Sequence, residues 1–164
     1  HPVIKDEIAS IENALNKYVE GTIKPPTHIK QNILDSIYAE EAKKNGLPFI
    51  LSPDSKINDW FEYLKCNQIE KPEGNDALYM TEFSKTNNIV TYIAWAKPGA
   101  FVEEEHGDEL ERLFMLQGSC KIDFDGVTHY YKEGDFVEIK KNTLHRAEVT
   151  GSETMILIGQ RLVA

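Results

Sequence analysis

Two different spacings of apolar residues divide the chain near Gly46. Up to that glycine, apolar residues recur every three or four positions, which is the spacing of one face of an α-helix. From about Ala77 onward, apolar and polar residues alternate in short runs between turn residues, as is typical of β-strands. The chain is therefore predicted to consist of a helical arm, residues 1–46, and a β-rich domain with its lead-in, residues 47–164.

The helical arm is predicted to contain two amphipathic α-helices. Gly21 ends the first, and Pro25-Pro26 excludes a helix from the next stretch. Thr27 is suited to cap the second helix, which Asn45-Gly46 ends. The apolar faces consist of Ile4, Ile8, Ile11, Leu15, Tyr18 and Val19 in the first helix, and of Ile29, Ile33, Leu34, Ile37 and Tyr38 in the second. Two such helices cannot bury both faces alone, so they must pack on the rest of the chain, as a surface hairpin, or on a partner.

The β-rich domain is predicted to contain about eight short strands, separated by turn pairs such as Asp125-Gly126 and Glu133-Gly134. The predicted strands are Leu78–Phe83, Ile89–Trp95, Arg112–Leu116, Cys120–Phe124, Thr128–Tyr131, Phe136–Ile139, His145–Val149 and Met155–Gln160. Ahead of them, residues 60–64 form a short packing segment. Short strands at near-regular spacing favour a mainly β fold, either a sandwich or a barrel.

Charge and cysteine content narrow the classes of function. The 164 residues have a net charge of −9, and phosphate contacts need clustered Lys and Arg, so no nucleic-acid partner is expected. No apolar run approaches the roughly 20 residues of a membrane helix, and no secretory signal is visible, which favours a cytoplasmic protein. Cys66 and Cys120 form no CxxC pair, so neither a disulfide framework nor a cysteine zinc site is expected.

Two stretches, residues 99–118 and 134–145, place histidines and carboxylates between turn glycines. Gly99, Glu111, Gly118, Gly134 and His145 match the paired motifs of the cupin superfamily, which read Gly, His-x-His, Glu and Gly, then Gly, Pro-x-Gly and His. Lys140 and Asn142 stand where that family usually has Pro and Gly. The resemblance covers about residues 77–164. It implies a cupin-type double-stranded β-helix, or jelly-roll barrel, preceded by the two N-terminal helices.

The resemblance also implies a metal site, because cupins that hold a metal usually offer three His and one Glu. If four residues separate the second His from the Glu of the first motif, Glu104 and His106 fall on the two His positions. If three residues separate them, Glu105 and Gly107 fall there and the site loses that histidine. The first alignment is preferred because it keeps His106 as a ligand, and residues two apart on a strand project to one side. The candidate metal ligands are then Glu104, His106, Glu111 and His145.

Two imidazoles with one or two carboxylates suit a divalent cation such as Zn, Fe, Mn or Ni. A competing interpretation involves no metal. Residues 101–111 contain six acidic residues and no Lys or Arg, which is typical of a solvated loop in which His106 is exposed. In that case His145 is a hydrogen-bonded residue of the barrel.

The first 40 residues are similar to a second family. A His1-Pro2 stretch that starts a Glu-containing helix, and a Pro25-Pro26 stretch that leads into another, resemble the region of bacterial anti-sigma factors just after their sigma-binding helices. The His and CxxC zinc motif of the metal-binding group, and the transmembrane helix that commonly follows, are absent from this sequence. The resemblance implies a sigma factor as partner, with the sigma-binding part of the protein upstream of His1.

These features lead to three hypotheses about function. The leading one is a regulatory or sensing protein, similar to anti-sigma factors, whose barrel binds a divalent metal or small ligand and whose arm transmits that state to a partner. The alternative is a small metal-dependent cupin enzyme of the dioxygenase or isomerase type. It is the less expected, because a fold does not by itself confer activity. The third is a metal-free barrel that forms a homodimer through Ile156–Leu162 as an edge strand and binds an unknown ligand.

Overall fold

The computed structural model describes residues 46–86 and 88–163, together with Ile29, Ile33 and Ile37. These three isoleucines occupy helical positions within the second predicted helix of the arm. The first predicted helix and the remainder of the second lie outside the described residues. In the part of the chain that is described, no helix is both long enough and apolar enough to cross a membrane.

Within residues 46–163, as far as they are described, the chain forms one helix and nine strands. They are α1 (Ile57–Cys66), β1 (Leu78–Lys85), β2 (Ile89–Ala96), β3 (Phe101–Glu105), β4 (Glu109–Gln117), β5 (Ser119–Phe124), β6 (Val127–Lys132), β7 (Phe136–Ile139), β8 (Leu144–Val149) and β9 (Met155–Val163). All eight predicted strands are present. The packing segment at residues 60–64 is part of α1.

Strand β3 was not predicted from the sequence, and the interpretation of residues 101–111 as a solvated loop is wrong. Burial alternates along β3, with Val102 and Glu104 turned inward and Phe101, Glu103 and Glu105 exposed. The strand lacks an apolar signature because one of its two inward positions carries a carboxylate instead of an aliphatic side chain.

The strands form two antiparallel sheets packed as a jelly roll. One sheet has the order β1-β2-β9-β4-β7, and the other has the order β3-β8-β5-β6. Side chains from the facing sides of the two sheets form one apolar core, which includes Ala94, Met115, Ile122 and Leu157. The prediction of a mainly β, jelly-roll barrel is thus confirmed.

The outer face of the five-stranded sheet is covered by α1 and the segment before it. Trp60 of α1 and Leu51 pack with Ile93 and Trp95 of β2, while Ala94 on the same strand faces the barrel interior. A strand that is buried on both faces carries apolar residues without alternation. This double burial accounts for the nearly unbroken apolar run of β2.

Gln160 of β9 holds the lead-in segment against the sheet. Its side chain is buried, Nε2 donates a hydrogen bond to the carbonyl of Phe49 at 2.7 Å, and Oε1 accepts one from the amide of Leu51 at 2.8 Å. These bonds satisfy two backbone groups of a segment that belongs to neither sheet. The arrangement fixes the lead-in beside the central strand.

Strand β9 lies inside its sheet and not at an edge. It pairs with β2 along one side and with β4 along the other, so both of its rows of backbone groups are hydrogen-bonded. The prediction that Ile156–Leu162 supplies an edge strand for a homodimer is therefore wrong. A free edge is a requirement for pairing with a second chain.

The turn at Asn142 explains one departure from the cupin motifs. Asn142 has a φ of 55°, in the left-handed region, where asparagine is tolerated better than most residues other than glycine. Asparagine at a position where the motif usually has glycine therefore keeps the backbone path of the turn. The turn leads directly into β8, which carries His145.

Candidate functional site

Three of the four candidate ligands come from two neighbouring strands and the turn after one of them. Glu104 of β3 pairs directly with His145 of β8 in the four-stranded sheet. His106 follows the end of β3, and its amide donates a hydrogen bond to the carbonyl of Thr143, just before β8. The pairing at Glu104 and the hydrogen bond at His106 both hold this stretch of chain against β8 and the residue before it. His106 and His145 are therefore held close to each other.

The side chains of these three residues converge inside the barrel. One ligand atom from each of Glu104, His106 and His145 lies within 4.8 Å of the other two. The two imidazole rings are stacked, with centroids 5.0 Å apart and planes at 7°. His106 and His145 are only 3% and 4% exposed, so His106 is not the surface residue of the loop interpretation.

Two imidazole nitrogens in this cluster lack a hydrogen-bond partner among the described residues. They are Nε2 of His106 and Nδ1 of His145, and both are buried. Burying a polar atom without a partner is unfavourable, and a divalent cation is a partner that a neutral imidazole nitrogen binds well. The two buried imidazoles and the neighbouring carboxylate of Glu104 therefore fit a metal ion.

Glu111 lies beside this group, and its two carboxylate oxygens have different partners. Its Oε2 is 3.0 Å from Nε2 of His106, a close contact that still leaves that nitrogen without an aligned hydrogen bond. Its Oε1 accepts hydrogen bonds from the hydroxyl of Tyr92 at 2.7 Å and from Nε of Arg161 at 3.0 Å. Three of the four candidate ligands thus form one group, and the fourth, Glu111, adjoins it at His106.

Arg161 of β9 is a site residue that the sequence did not reveal. Its Nη2 donates a hydrogen bond to Oε1 of Glu104 at 2.7 Å, so the guanidinium bridges the carboxylates of Glu104 and Glu111. The guanidinium carbon lies 5.4 Å from the centre of the Tyr92 ring, within cation–π range. In the sequence, Arg161 differs from its surroundings only as a charged residue in a mostly apolar stretch.

These contacts shift the pKa values of the two histidines in opposite directions. The close contact with Glu111 raises the pKa of His106. Burial lowers the pKa of His145, which favours the neutral imidazole with a free lone pair. Since a metal ligand must be an unprotonated nitrogen, the lowered pKa of His145 favours the form that can bind a cation.

Contacts within the cluster also shift the pKa values of Glu111 and Tyr92. Burial by itself would raise the pKa of Glu111, but the contacts with His106, Tyr92 and Arg161 outweigh it, and the pKa is lowered. Burial raises the pKa of Tyr92 well above its usual range, and the neighbouring Glu111 adds to this. Glu111 is therefore a carboxylate and Tyr92 a neutral hydroxyl donor at physiological pH.

Gly159 of β9 makes room for Tyr92. A Cβ atom at this position would lie 2.0 Å from Cζ of the Tyr92 ring. We expect Gly159→Ala to push the ring away from Glu111 and to lower the free energy of unfolding by about 2 kcal/mol, as overpacking does. Denaturant unfolding of the purified chain measures this loss.

Gly107→Ala is the control for that variant, because the described part of the structure has nothing within 4 Å of the added Cβ there. We expect Gly107→Ala to be neutral or slightly stabilising, since alanine restricts the unfolded chain more than glycine does. Equal stabilities of the two variants would show that the approach of Tyr92 to β9 does not constrain position 159.

A cavity adjoins the cluster inside the barrel. Its volume is about 60 Å³, within roughly 550 Å³ of free space that includes open solvent, and Glu104, Glu111 and His145 line it together with many aliphatic side chains. The cluster therefore faces a space that a small molecule could enter. Such a concave, mostly apolar site with a few converging polar groups is typical of ligand binding.

Comparisons with known proteins find cupin domains that are similar to this barrel. Residues 94–159 match the family model described as the Cupin domain. No curated protein matches the sequence. Among solved structures, the chain is similar to the Cnp3 cupin domain of Schizosaccharomyces pombe, with 13% identity and a TM-score of 0.52 over 55% of this chain and 67% of that one.

Two further structures show the same likeness. The Cupin_2 domain of an XRE family transcriptional regulator from Enterobacter cloacae has 13% identity and a TM-score of 0.51, covering 54% of this chain and 99% of that one. A predicted oxalate decarboxylase from Thermotoga maritima has 18% identity and a TM-score of 0.51, covering 53% and 81%. At these identities the likeness establishes the fold of the barrel and nothing about its activity.

Proposed function

We propose that the barrel binds one divalent cation through Glu104, His106 and His145, and that this binding has a regulatory role. The observation that carries the metal site is the convergence of donor atoms from Glu104, His106 and His145, together with the buried Nδ1 of His145, which has no hydrogen-bond partner among the described residues. Glu111 is within reach as a fourth ligand, because donor atoms bound to one ion at about 2.1 Å are themselves roughly 3 Å apart. Zn, Fe, Mn and Ni all suit this donor set.

The residues around the cation would hold the ligands in place. Tyr92 and Arg161 fix Oε1 of Glu111, which leaves Oε2 directed at His106. Arg161 also offsets the mutual repulsion of the two carboxylates, so Glu104 and Glu111 can approach each other inside the barrel. A bound cation would supply positive charge and Lewis-acid character to a ligand in the adjoining cavity.

The regulatory role rests on the two-part organisation of the sequence. Residues 1–46 resemble a region of anti-sigma factors, and a sigma factor in the cytoplasm is accordingly the proposed partner. The similar barrel from Enterobacter cloacae is a domain of a transcriptional regulator. A metal or small ligand can change the affinity for a partner only if it binds the free and partner-bound states differently.

A binding assay on the full-length protein tests this role, because the resemblance places the sigma-binding helices ahead of the residues that match. Purified protein is immobilised and exposed to sigma factors, once with Zn²⁺ and once with a chelator. We expect at least a five-fold difference in sigma affinity between the two conditions, and no difference for His145→Ala. If no sigma factor binds under either condition, the anti-sigma role is wrong, although the metal site is unaffected.

The alternative function is a small metal-dependent enzyme of the dioxygenase or isomerase type. The observation in its favour is the solvent-open cavity that reaches Glu104 and His145. Turnover of a small molecule by the metal-loaded chain, lost in His145→Ala, would favour this alternative over regulation. Binding of a small molecule without turnover would favour regulation.

A further inference from the structure

The cavity reaches an edge strand of each of the two sheets. Strand β1 is at one edge of the five-stranded sheet, and β3 is at one edge of the four-stranded sheet. Leu78 and Met80 of β1 and Val102 of β3 line the cavity, and Met80 is 46% exposed. A ligand can therefore enter from the side of the barrel, past apolar side chains.

The cavity exists because several inward positions carry alanine. Ala94 and Ala96 of β2, Ala100, and Ala147 of β8 all line it, whereas neighbouring inward positions carry larger residues such as Leu113 and Met155. Small side chains on two facing sheets leave a gap that their neighbours do not fill. The walls of that gap offer aliphatic surface and suit an apolar molecule.

Polarity changes along the length of the cavity. Glu104, Glu111 and His145 are at one end, and Ala96, Ala100 and Val149 are at the other. Glu148 also lines the cavity near Val149, but its carboxylate is paired with Lys121 at 2.8 Å. His145 and Val149 lie four residues apart on β8, which is roughly 13 Å along a strand. The cavity therefore suits an elongated molecule with one polar end and an apolar body of about that length.

The charges at the polar end determine whether a negatively or a positively charged head group of a ligand is attracted there. Glu104 and Glu111 contribute two negative charges, and Arg161, which bridges them, contributes one positive charge. With a divalent cation bound, the total becomes positive. An anionic oxygen group would then be attracted to this end, and an ammonium group would be repelled.

We propose that the ligand of the barrel is a monocarboxylate with a medium-length apolar chain, its carboxylate at the cation and its chain between the alanines. This inference rests on the proposed metal function. It follows from three features of the described residues, namely the exposed Met80 beside the cavity, the alanine walls and the end that carries Glu104, Glu111 and His145. It predicts that affinity rises with chain length until the cavity is filled.

Calorimetric titration of the Zn²⁺-loaded chain tests the proposal. The probes are straight-chain carboxylates from butanoate to decanoate, with alkylamines of equal length for comparison. We expect the carboxylate affinity to rise about three- to four-fold for each added methylene up to a limit, because each one is removed from water. Alkylamines should bind at least 10-fold more weakly than the matched carboxylates.

Ala96→Leu fills the end of the cavity that is far from the charged groups. It should weaken decanoate binding at least 10-fold and change butanoate and Zn²⁺ binding less than two-fold. Ala77→Leu makes the same substitution at an exposed position outside the cavity and should change none of these affinities. If Ala96→Leu does not fold, Ala100→Leu at the same end of the cavity replaces it.

The outcomes separate this inference from the function on which it rests. Absence of Zn²⁺ binding would overturn the metal function and the anionic head group with it. Zn²⁺ binding without chain-length dependence, or equal binding of amines and carboxylates, would overturn the ligand assignment alone. An equal loss of affinity for butanoate and decanoate in Ala96→Leu would also overturn it, because the apolar chain of decanoate would then not occupy that end of the cavity.

Discussion

His145→Ala is expected to lower the affinity of the chain for Zn²⁺ at least about 100-fold. Loss of a residue that merely supports a metal ligand typically costs 10- to 100-fold in affinity, and loss of a ligand itself should exceed that. His145 is one of the three residues whose donor atoms converge, and its Nδ1 has no hydrogen bond among the described residues that would compete with the metal. Competition with a chromophoric chelator measures the affinity, and plasma mass spectrometry measures the metal content.

His129→Ala is the matched control, because His129 lies on β6 of the same sheet but its side chain is exposed. Its metal content and affinity should equal those of the unmodified chain. If His145→Ala keeps the full metal content, the site is not in the barrel. If neither protein takes up Zn, Mn, Ni or ferrous iron, the two buried imidazoles do not mark a metal site.

The fold was largely predictable because its strands carry local signals. The alternation of apolar residues and the turn pairs predicted eight of the nine strands in the described residues. Strand β3 was not predicted because Glu104 occupies an inward position, where the alternating pattern of a strand has an apolar residue. A polar side chain at an inward position interrupts the alternation of apolar and polar residues by which a strand is recognised in the sequence.

The candidate site was only partly predictable, and the reason is distance along the chain. His106 and His145 could be proposed because each belongs to a motif with a fixed spacing. Arg161 and Tyr92 could not, because they reach Glu111 only through the pairing of β9 with β4 and with β2. Such register is set by the packing of the whole sheet and leaves no short motif.

The same pairing gives Glu111 contacts that do not depend on a metal ion. Arg161 sits opposite Glu111 in the ladder between β9 and β4, so a cation of the chain itself is always close to this carboxylate. A metal ion in the barrel would share Glu104 and Glu111 with that guanidinium. Glu111 therefore has a structural role even where no metal is bound, and this role can be measured separately.

Glu111→Ala is expected to lower the free energy of unfolding by about 3 kcal/mol in the presence of a chelator. Removing one partner of a buried ion pair leaves the other without compensation, which typically costs 3–5 kcal/mol. The lower end of that range applies because the Arg161 side chain is 25% exposed and keeps its bond to Glu104. Urea denaturation measures the loss, and the chelator removes any stabilisation by bound metal.

Glu138→Ala is the control that isolates the effect of burial. Glu138 also accepts a hydrogen bond from an arginine Nε, that of Arg112, at 3.1 Å, close to the 3.0 Å between Arg161 and Glu111. The Glu138 side chain is 43% exposed, however, whereas that of Glu111 is 2% exposed. Exposed pairs contribute about 0–1 kcal/mol, so Glu138→Ala should be nearly neutral. Equal losses in the two variants would mean that Arg161 and Tyr92 rehydrate freely, and that the carboxylate network does not hold this end of the barrel together.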